Sequence, residues 1–236
     1  MIYLLVWTLL SIPQIRDSAF TIDVSPISDH FYVHTSYGLV GSTPYPSNGL
    51  ILETTAGVVV VDTPWDTAQS RQLFDWIEMH IKKEVILCIV THAHDDRMGG
   101  IEEFARRGIR VISTPLTSQH AARQGLRKPE AVLPNDTLFT IGGVPMECFF
   151  PGKGHTDDNI VVWFPNQRIL FGGCLVKSTN VGGLGNIADA DLHAWPGSIR
   201  VVMKKFSSHQ IVIPGHESWS NNNSLEHTLE LLRSTQ

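Results

Sequence analysis

The chain has 236 residues, enough for one large α/β domain or two small ones, and is 42% hydrophobic and 17% charged, the make-up of an ordinary globular protein. Its formal net charge is −5, and no run of lysine and arginine exceeds two residues. Phosphate binding needs a basic surface, so nucleic acid is excluded as a partner, while small neutral or anionic substrates stay open.

The first segment, MIYLLVWTLL from Met1 to Leu10, is apolar throughout, and no charge appears before Arg16. It is too short to span a bilayer, which takes about 20 apolar residues. It is expected to belong to a secretory leader over 1–19, cleaved near Ala19, with an uncleaved anchor as the alternative. Residues 20–236 would then be a single domain with no stable membrane association. Short β-branched and aromatic runs follow: Thr21 to Val24, Phe31 to Thr35, Leu50 to Thr54 and Val58 to Asp62 read as a meander of strands. Between them, Tyr37 to Gly49 is rich in Gly, Pro and Ser, which predicts a mobile loop or open hairpin.

Asp66 is placed to cap a helix through about His80, with Leu73, Phe74, Trp76 and Ile77 on its apolar side. A nearly all-apolar strand, Glu84 to Val90, leads to Thr91; a helix from about Met98 to Arg107, a strand at Ile109 to Ser113 and a helix near Pro115 complete a βαβα order. Strands are then expected at Leu138 to Ile141, Val144 to Phe149, Asn159 to Phe164, Arg168 to Phe171 and Ile211 to Ile213. Helices are expected at about Asp189 to Phe206 and from Ser224. No linker or fixed-period repeat interrupts the series, and two sheets packed face to face with helices outside would bury both sets of strands.

The strand ending at Val90 runs into THAHDDRMGG, where His92, His94 and Asp96 recur at every second residue. On an extended or tightly turning backbone that spacing points all three the same way. Imidazole with carboxylate suits zinc and its first-row neighbours better than calcium or magnesium. Three more apolar strands are each followed by a Gly-containing turn and a strong metal ligand: PGKGHTDDN with His155, GGCLVKS with Cys174, and PGHE with His216. Four strand ends can therefore meet at one rim. His30, His34, His80, His120, His193, His209 and His227 lack this pattern and read as surface or packing residues. The three cysteines make an odd count, so at least one is outside any internal disulfide; Cys88 and Cys148 lie in apolar runs and read as core.

Taken in order, His92-Ala93-His94-Asp95-Asp96-Arg97, Gly154-His155-Thr156-Asp157-Asp158-Asn159, Gly173-Cys174 and Gly215-His216 resemble the motifs of the class B metallo-β-lactamases. The resemblance covers nearly all of the chain after the leader. It implies a four-layer αβ/βα sandwich and two zinc ions, Zn2+ held by His92, His94 and His155 at the first site and by Asp96, Cys174 and His216 at the second. It implies hydrolysis of the β-lactam amide of penicillins, cephalosporins and carbapenems by a periplasmic enzyme conferring antibiotic resistance; the sequence is silent on oligomeric state, and a monomer is the default expectation. Asp96 would orient the nucleophile as well as ligate. Lys177, three residues after Cys174, would meet the substrate carboxylate, and Asn186 the carbonyl oxygen. Asp62, ending the strand VVVVD, and Arg97 are candidates to support the ligands. Tyr37 to Gly49 corresponds to the family's hairpin over the site, here with Leu39, Val40, Pro44 and Tyr45 as apolar contacts.

The nearest alternatives are a thioesterase or lactonase on the same fold, and a zinc-binding protein without hydrolytic activity. Thioesterases and lactonases have His after the second Asp of HxHxDH, where this chain has Arg97, and bridge their metals with a carboxylate where it has Cys174. A structural zinc has four protein ligands, whereas three on each of two ions leave positions open for water.

Overall fold

The computed structural model describes residues 19–235, so the leader expected over 1–19 lies, except for Ala19, outside them. The first sheet contains β1 (Asp23–Ser28), β2 (Phe31–Val40), β3 (Thr43–Glu53), β4 (Val58–Val61), β5 (Val85–Ile89), β6 (Arg110–Ser113) and β7 (Glu130–Ala131), side by side in chain order. Its first four strands are antiparallel; β4 to β7 run parallel. The second sheet has the order β12-β11-β10-β9-β8, from β8 (Asp136–Ile141), β9 (Val144–Phe149), β10 (Val161–Phe164), β11 (Ile169–Gly173) and β12 (Ile211–Pro214). Only its β11–β12 pair is parallel.

Side-chain alternation sorts these strands into layers. Leu50 and Leu52 of β3, Val59 and Val61 of β4, and Leu87 and Ile89 of β5 meet Met146, Cys148, Val162, Phe164, Ile169 and Phe171 in one core between the sheets. The intervening residues, Ile51, Val58, Val60, Cys88 and Val90, face outward onto α1 (Thr67–His80) and α3 (Ile101–Arg106) through Leu73, Phe74, Ile77 and Phe104. On the far side Val161, Trp163 and Leu170 pack against α5 (Trp195–Lys205) and α6 (Ser224–Ser234). Strands buried on both faces cannot alternate with polar residues, which is why VVVV and VILCI are unbroken. The expected αβ/βα sandwich is what forms.

Several local expectations are corrected. Tyr37 to Gly49 is not a loop: β2 and β3 pair through to Val40↔Thr43, closed by Gly41-Ser42 with Gly41 at φ +64°. A two-residue turn with positive φ matches the strand twist. Pro44 and Pro46 are tolerated because β4 pairs with β3 only from Leu50 onward, leaving that part of β3 an edge. The helix expected from Asp189 starts at Trp195, beside the Pro196 suited to a first helical turn. The helix expected from Met98 is two short ones, α2 (Asp95–Met98) and α3, and a further helix, α4 (Pro115–Arg123), starts at the expected proline. The short β7 gave no signal. Cys88 and Cys148 are both buried and free: Cys88 faces the helices outside the first sheet, and Cys148, on the second sheet, faces the core between the sheets.

Candidate metal centre

The parallel strands deliver the site. β4, β5, β11 and β12 all end at one rim, and their next residues are Asp62, the Thr91 to Asp96 segment, Cys174 and Gly215-His216. His155 joins from the turn after β9. His94 is extended, with φ −123° and ψ 157°, and Asp95 opens α2, so Asp96 lies inside a helical turn. The three ligands of the first motif thus converge by a strand-to-helix switch, the tightly turning one of the two backbones on which that spacing brings them together.

His92 Nε2 lies 3.2 Å from His94 Nδ1, and His155 Nε2 lies 3.3 Å from the same atom. Zinc–nitrogen bonds of about 2.0–2.1 Å in a tetrahedron place neighbouring nitrogens about 3.3–3.4 Å apart, so these separations are those of ligands around one small cation. Asp96 Oδ2, Cys174 Sγ and His216 Nε2 form a second triangle with sides of 3.3, 3.2 and 3.2 Å. The two are contiguous, because His92 and Cys174 also share a cluster with His155, and Asp96 one with His92 and His94. Other contacts fix which nitrogens are free. His216 Nδ1 lies 2.7 Å from the carbonyl of Pro46 and His94 Nε2 lies 3.0 Å from Asp189 Oδ2, so each donates there and turns a lone pair inward. The donor set fits two zinc ions: neutral nitrogens in one triangle, and a carboxylate and a soft sulfur in the other.

Electrostatics separates the triangles. Burial, reinforced by neighbouring His94, holds His92 well below the ordinary imidazole range, and burial with Lys177 does the same for His155. Both are neutral, as ligands must be. Burial works against the Asp96 carboxylate, but Arg97 and His216 outweigh it and hold its pKa well below the usual range. Burial raises the Cys174 thiol, so its thiolate needs a cation beside it. Arg97 is fully buried, donating to Asp96 Oδ2 (2.9 Å), Asp62 Oδ2 (3.2 Å) and the carbonyls of Asn48 (2.6 Å) and Gly215 (2.7 Å). Asp62 in turn accepts from Thr91 N at 2.7 Å and Thr91 Oγ1 at 2.8 Å. Burial pushes the Asp62 carboxyl up to about 6, against the pull of Arg97 and Thr91.

A cavity of about 790 Å3 opens over both triangles, between the hairpin residues Leu39, Val40 and Tyr45 on one side and Lys177 and Asn186 on the other. Lys177 is buried, its Nζ 5.3 Å from the centre of the Trp195 ring, and burial lowers its pKa. Asn186 is exposed at the cavity rim, its carbonyl accepting from Ala188 N at 3.1 Å. Leu39 and Val40 are 59% and 60% exposed, an apolar lip with room to contact a bound molecule. Six of the ten residues singled out from the sequence line this cavity, namely His94, Asp96, His155, Lys177, Asn186 and His216; His92 and Cys174 complete the triangles, and Arg97 joins Asp96 to Asp62.

Sequence reasoning missed residues that hold the ligands from a distance. His34, expected to be an ordinary packing residue, is 1% exposed and places Nε2 3.1 Å from the carbonyl of Asp62. Asp62 has φ +60°, strained for a residue with a Cβ, so this contact helps fix the backbone from which its carboxylate reaches Thr91 and Arg97. A Cβ at position 49 would fall on the His34 ring, which accounts for Gly49. Ser47 donates to the Asp96 carbonyl, and Asp189 receives His94. The one available signal was PSNG, a polar tetrapeptide opening the strand Leu50 to Thr54.

Comparison with known proteins adds an independent line. Residues 42–216 match the metallo-beta-lactamase superfamily model. The chain is 42% identical over 219 residues to metallo-beta-lactamase type 2 of Bacillus cereus, covering 93% of this chain and 86% of that one. Among solved structures, a metallo-beta-lactamase from Pontibacter korlensis superposes with a TM-score of 0.87 at 42% identity, over 90% of this chain and 99% of that one. The metallo-beta-lactamase FIM-1 from Pseudomonas aeruginosa, solved in its mono-zinc form, gives 0.85 at 34% identity, over 92% and 96%.

Proposed function

The chain belongs to the metallo-beta-lactamase superfamily, and from that premise we propose that it hydrolyses the amide bond of β-lactams, penicillins, cephalosporins and carbapenems alike, and so confers antibiotic resistance. The observation that carries the reading is the pair of contiguous ligand triangles, three imidazoles beside Asp-Cys-His, opening onto one cavity. Three ligands each leave positions for water and substrate, as in a catalytic rather than a structural zinc site.

In this reading His92, His94 and His155 hold one zinc, and Asp96, Cys174 and His216 the other. The chemistry zinc supplies when bound is acidification of water to give hydroxide at neutral pH, with polarisation of the carbonyl under attack. Asp96, pinned through Oδ2 by Arg97 and too acidic to store a proton, orients the attacking water by accepting its hydrogen bond. Lys177 pairs with the substrate carboxylate in a largely desolvated setting, where a charge-assisted hydrogen bond is strong. Asn186 turns its amide NH2 to the carbonyl oxygen, and the apolar lip at Leu39 and Val40 covers the substrate and displaces water.

Residues 20–236 are one domain in this reading, released by the leader into the periplasm and active as a monomer. No helix among the described residues is long and apolar enough to cross a membrane. The test is hydrolysis of a carbapenem and a cephalosporin by purified protein, first with zinc, then with chelator, then with zinc restored. Turnover that is lost to chelator and regained with zinc is expected. A folded, zinc-loaded sample without turnover would move the reading to a thioester or lactone hydrolase.

A further inference from the structure

Beside the first triangle lies a second cavity of about 170 Å3, which shares His94, Gln124 and Asp189 with the lining of the substrate cleft. Three carboxylates, Asp157, Asp158 and Asp189, line it together with His94 and His120, and no lysine or arginine does. Asp157 and Asp189 reach solvent and each faces a histidine, whereas Asp158 is buried, and a buried carboxylate in a lining without lysine or arginine gives the cavity the chemistry of a cation site.

Two of those carboxylates have a nitrogen ligand beside them. His120 Nε2 is 2.7 Å from Asp157 Oδ1, and one ligand atom from each of His120, Asp157 and Asp158 lies within 4.8 Å of the others. Asp158 is the least expected of the three. It is 2% exposed, its Oδ2 accepts from Ala93 N at 3.0 Å, and among the described residues no cationic side chain pairs with it. Thr156 Oγ1, on the same wall, is buried without a hydrogen-bond partner. Asp189 is turned toward His94, so the set that remains for a cation is one imidazole and two carboxylates.

We propose that His120, Asp157 and Asp158 form a third divalent-cation site, separate from the two ligand triangles and selective for zinc or a first-row neighbour over magnesium and calcium. The imidazole sets that preference, and the lack of a thiolate makes the site weaker than the second triangle. Its position ties it to the centre: Asp157 and Asp158 follow His155 directly, and the Asp158 carboxylate holds the backbone between His92 and His94. A cation here would brace both ligand segments.

The test dialyses the zinc-loaded protein to equilibrium against rising free zinc and counts metal per chain by elemental analysis. A third, weaker equivalent is expected, with its affinity reduced about tenfold or more in both His120→Leu and Asp157→Asn. Both side chains are partly exposed, so these substitutions leave the core alone. No third equivalent up to the solubility limit, or a third equivalent bound equally well by both variants, would overturn the proposal. Cys174→Ser separates the two readings. It should weaken the second equivalent and leave the third; a wild-type count below two together with a weak equivalent lost in His120→Leu would sink the paired centre and keep this site.

Discussion

The two ligand triangles are built in opposite ways although they touch. The first is made of imidazoles alone and leans on little: the buried Nδ1 of His155 has no partner, and His94 is steadied by an Asp189 whose side chain is 63% exposed. The second contains a buried carboxylate, and the fold surrounds it with charge. Arg97 spans Asp96, Asp62 and two carbonyls, Asp62 clamps Thr91, and His34 steadies Asp62. Burying a neutral ligand needs shape alone, whereas burying an anion needs a compensating cation whose own hydrogen bonds are all met. The cost of assembling the second triangle is therefore folding free energy, and that of the first is mainly geometry.

Removing one member from each side should expose this asymmetry. Arg97→Leu leaves Asp96 and Asp62 as uncompensated buried carboxylates, and should cost about 3–5 kcal/mol of stability in the metal-free protein, read from denaturant unfolding. His155→Ala should cost the metal-free protein about 1 kcal/mol or less, yet abolish zinc at the first triangle and turnover with it. Equal destabilisation by the two would end the comparison. Cys174→Ser comes next: the second zinc should weaken at least about tenfold and turnover fall, and an unchanged zinc stoichiometry and rate would refute its place among the ligands.

His34→Leu probes the support at its farthest point. It should destabilise by about 1–3 kcal/mol and weaken the second zinc more than the first, as measured by competition with a chelator. Its pH signature has a definite sign. Burial lowers the His34 pKa from 6.5 to about 4, so the unfolded chain takes up a proton that the folded one refuses. The associated stability is fully present above pH 6.5 and is lost as pH falls to about 4. The metal-free wild type should therefore lose about 3 kcal/mol more than His34→Leu across that window. Superimposable acid profiles would mean the histidine is not buried neutral. The smallest effect is expected at Lys177→Ala: KM for carboxylate-bearing substrates should rise about tenfold with little change in kcat. A change confined to thermal stability would remove Lys177 from the substrate site.

The fold was legible where burial on both faces forces uniform residues. Val58 to Val61 and Val85 to Ile89 could only be interior strands, and the glycines before His155, Cys174 and His216 marked their turns. The hairpin was misread because its prolines and glycines resemble a loop; only the absence of a β4 partner before Leu50 makes them compatible with a strand. The start of α5 was misplaced because ADADLHAW offers helix formers that the loop beside His94 uses for other contacts.

The ligands are a similar mixture. His92, His94 and Asp96 announced themselves because neighbours in sequence are held together by covalent geometry whatever the rest of the chain does. His155, Cys174 and His216 were recognisable only as repeats of that strand-end pattern. The sequence by itself determined the strand-and-helix alternation, the donor types and therefore the metal chemistry, since these depend on local periodicity and on the identity of each side chain. Only the tertiary structure decided which donors share an ion and what holds them. Arg97 reaches Gly215 across 118 positions and His216 reaches Pro46 across 170, contacts set by the packing of the two sheets, while His34 reaches Asp62 across 28 through strand order within the first sheet, and no local pattern encodes either.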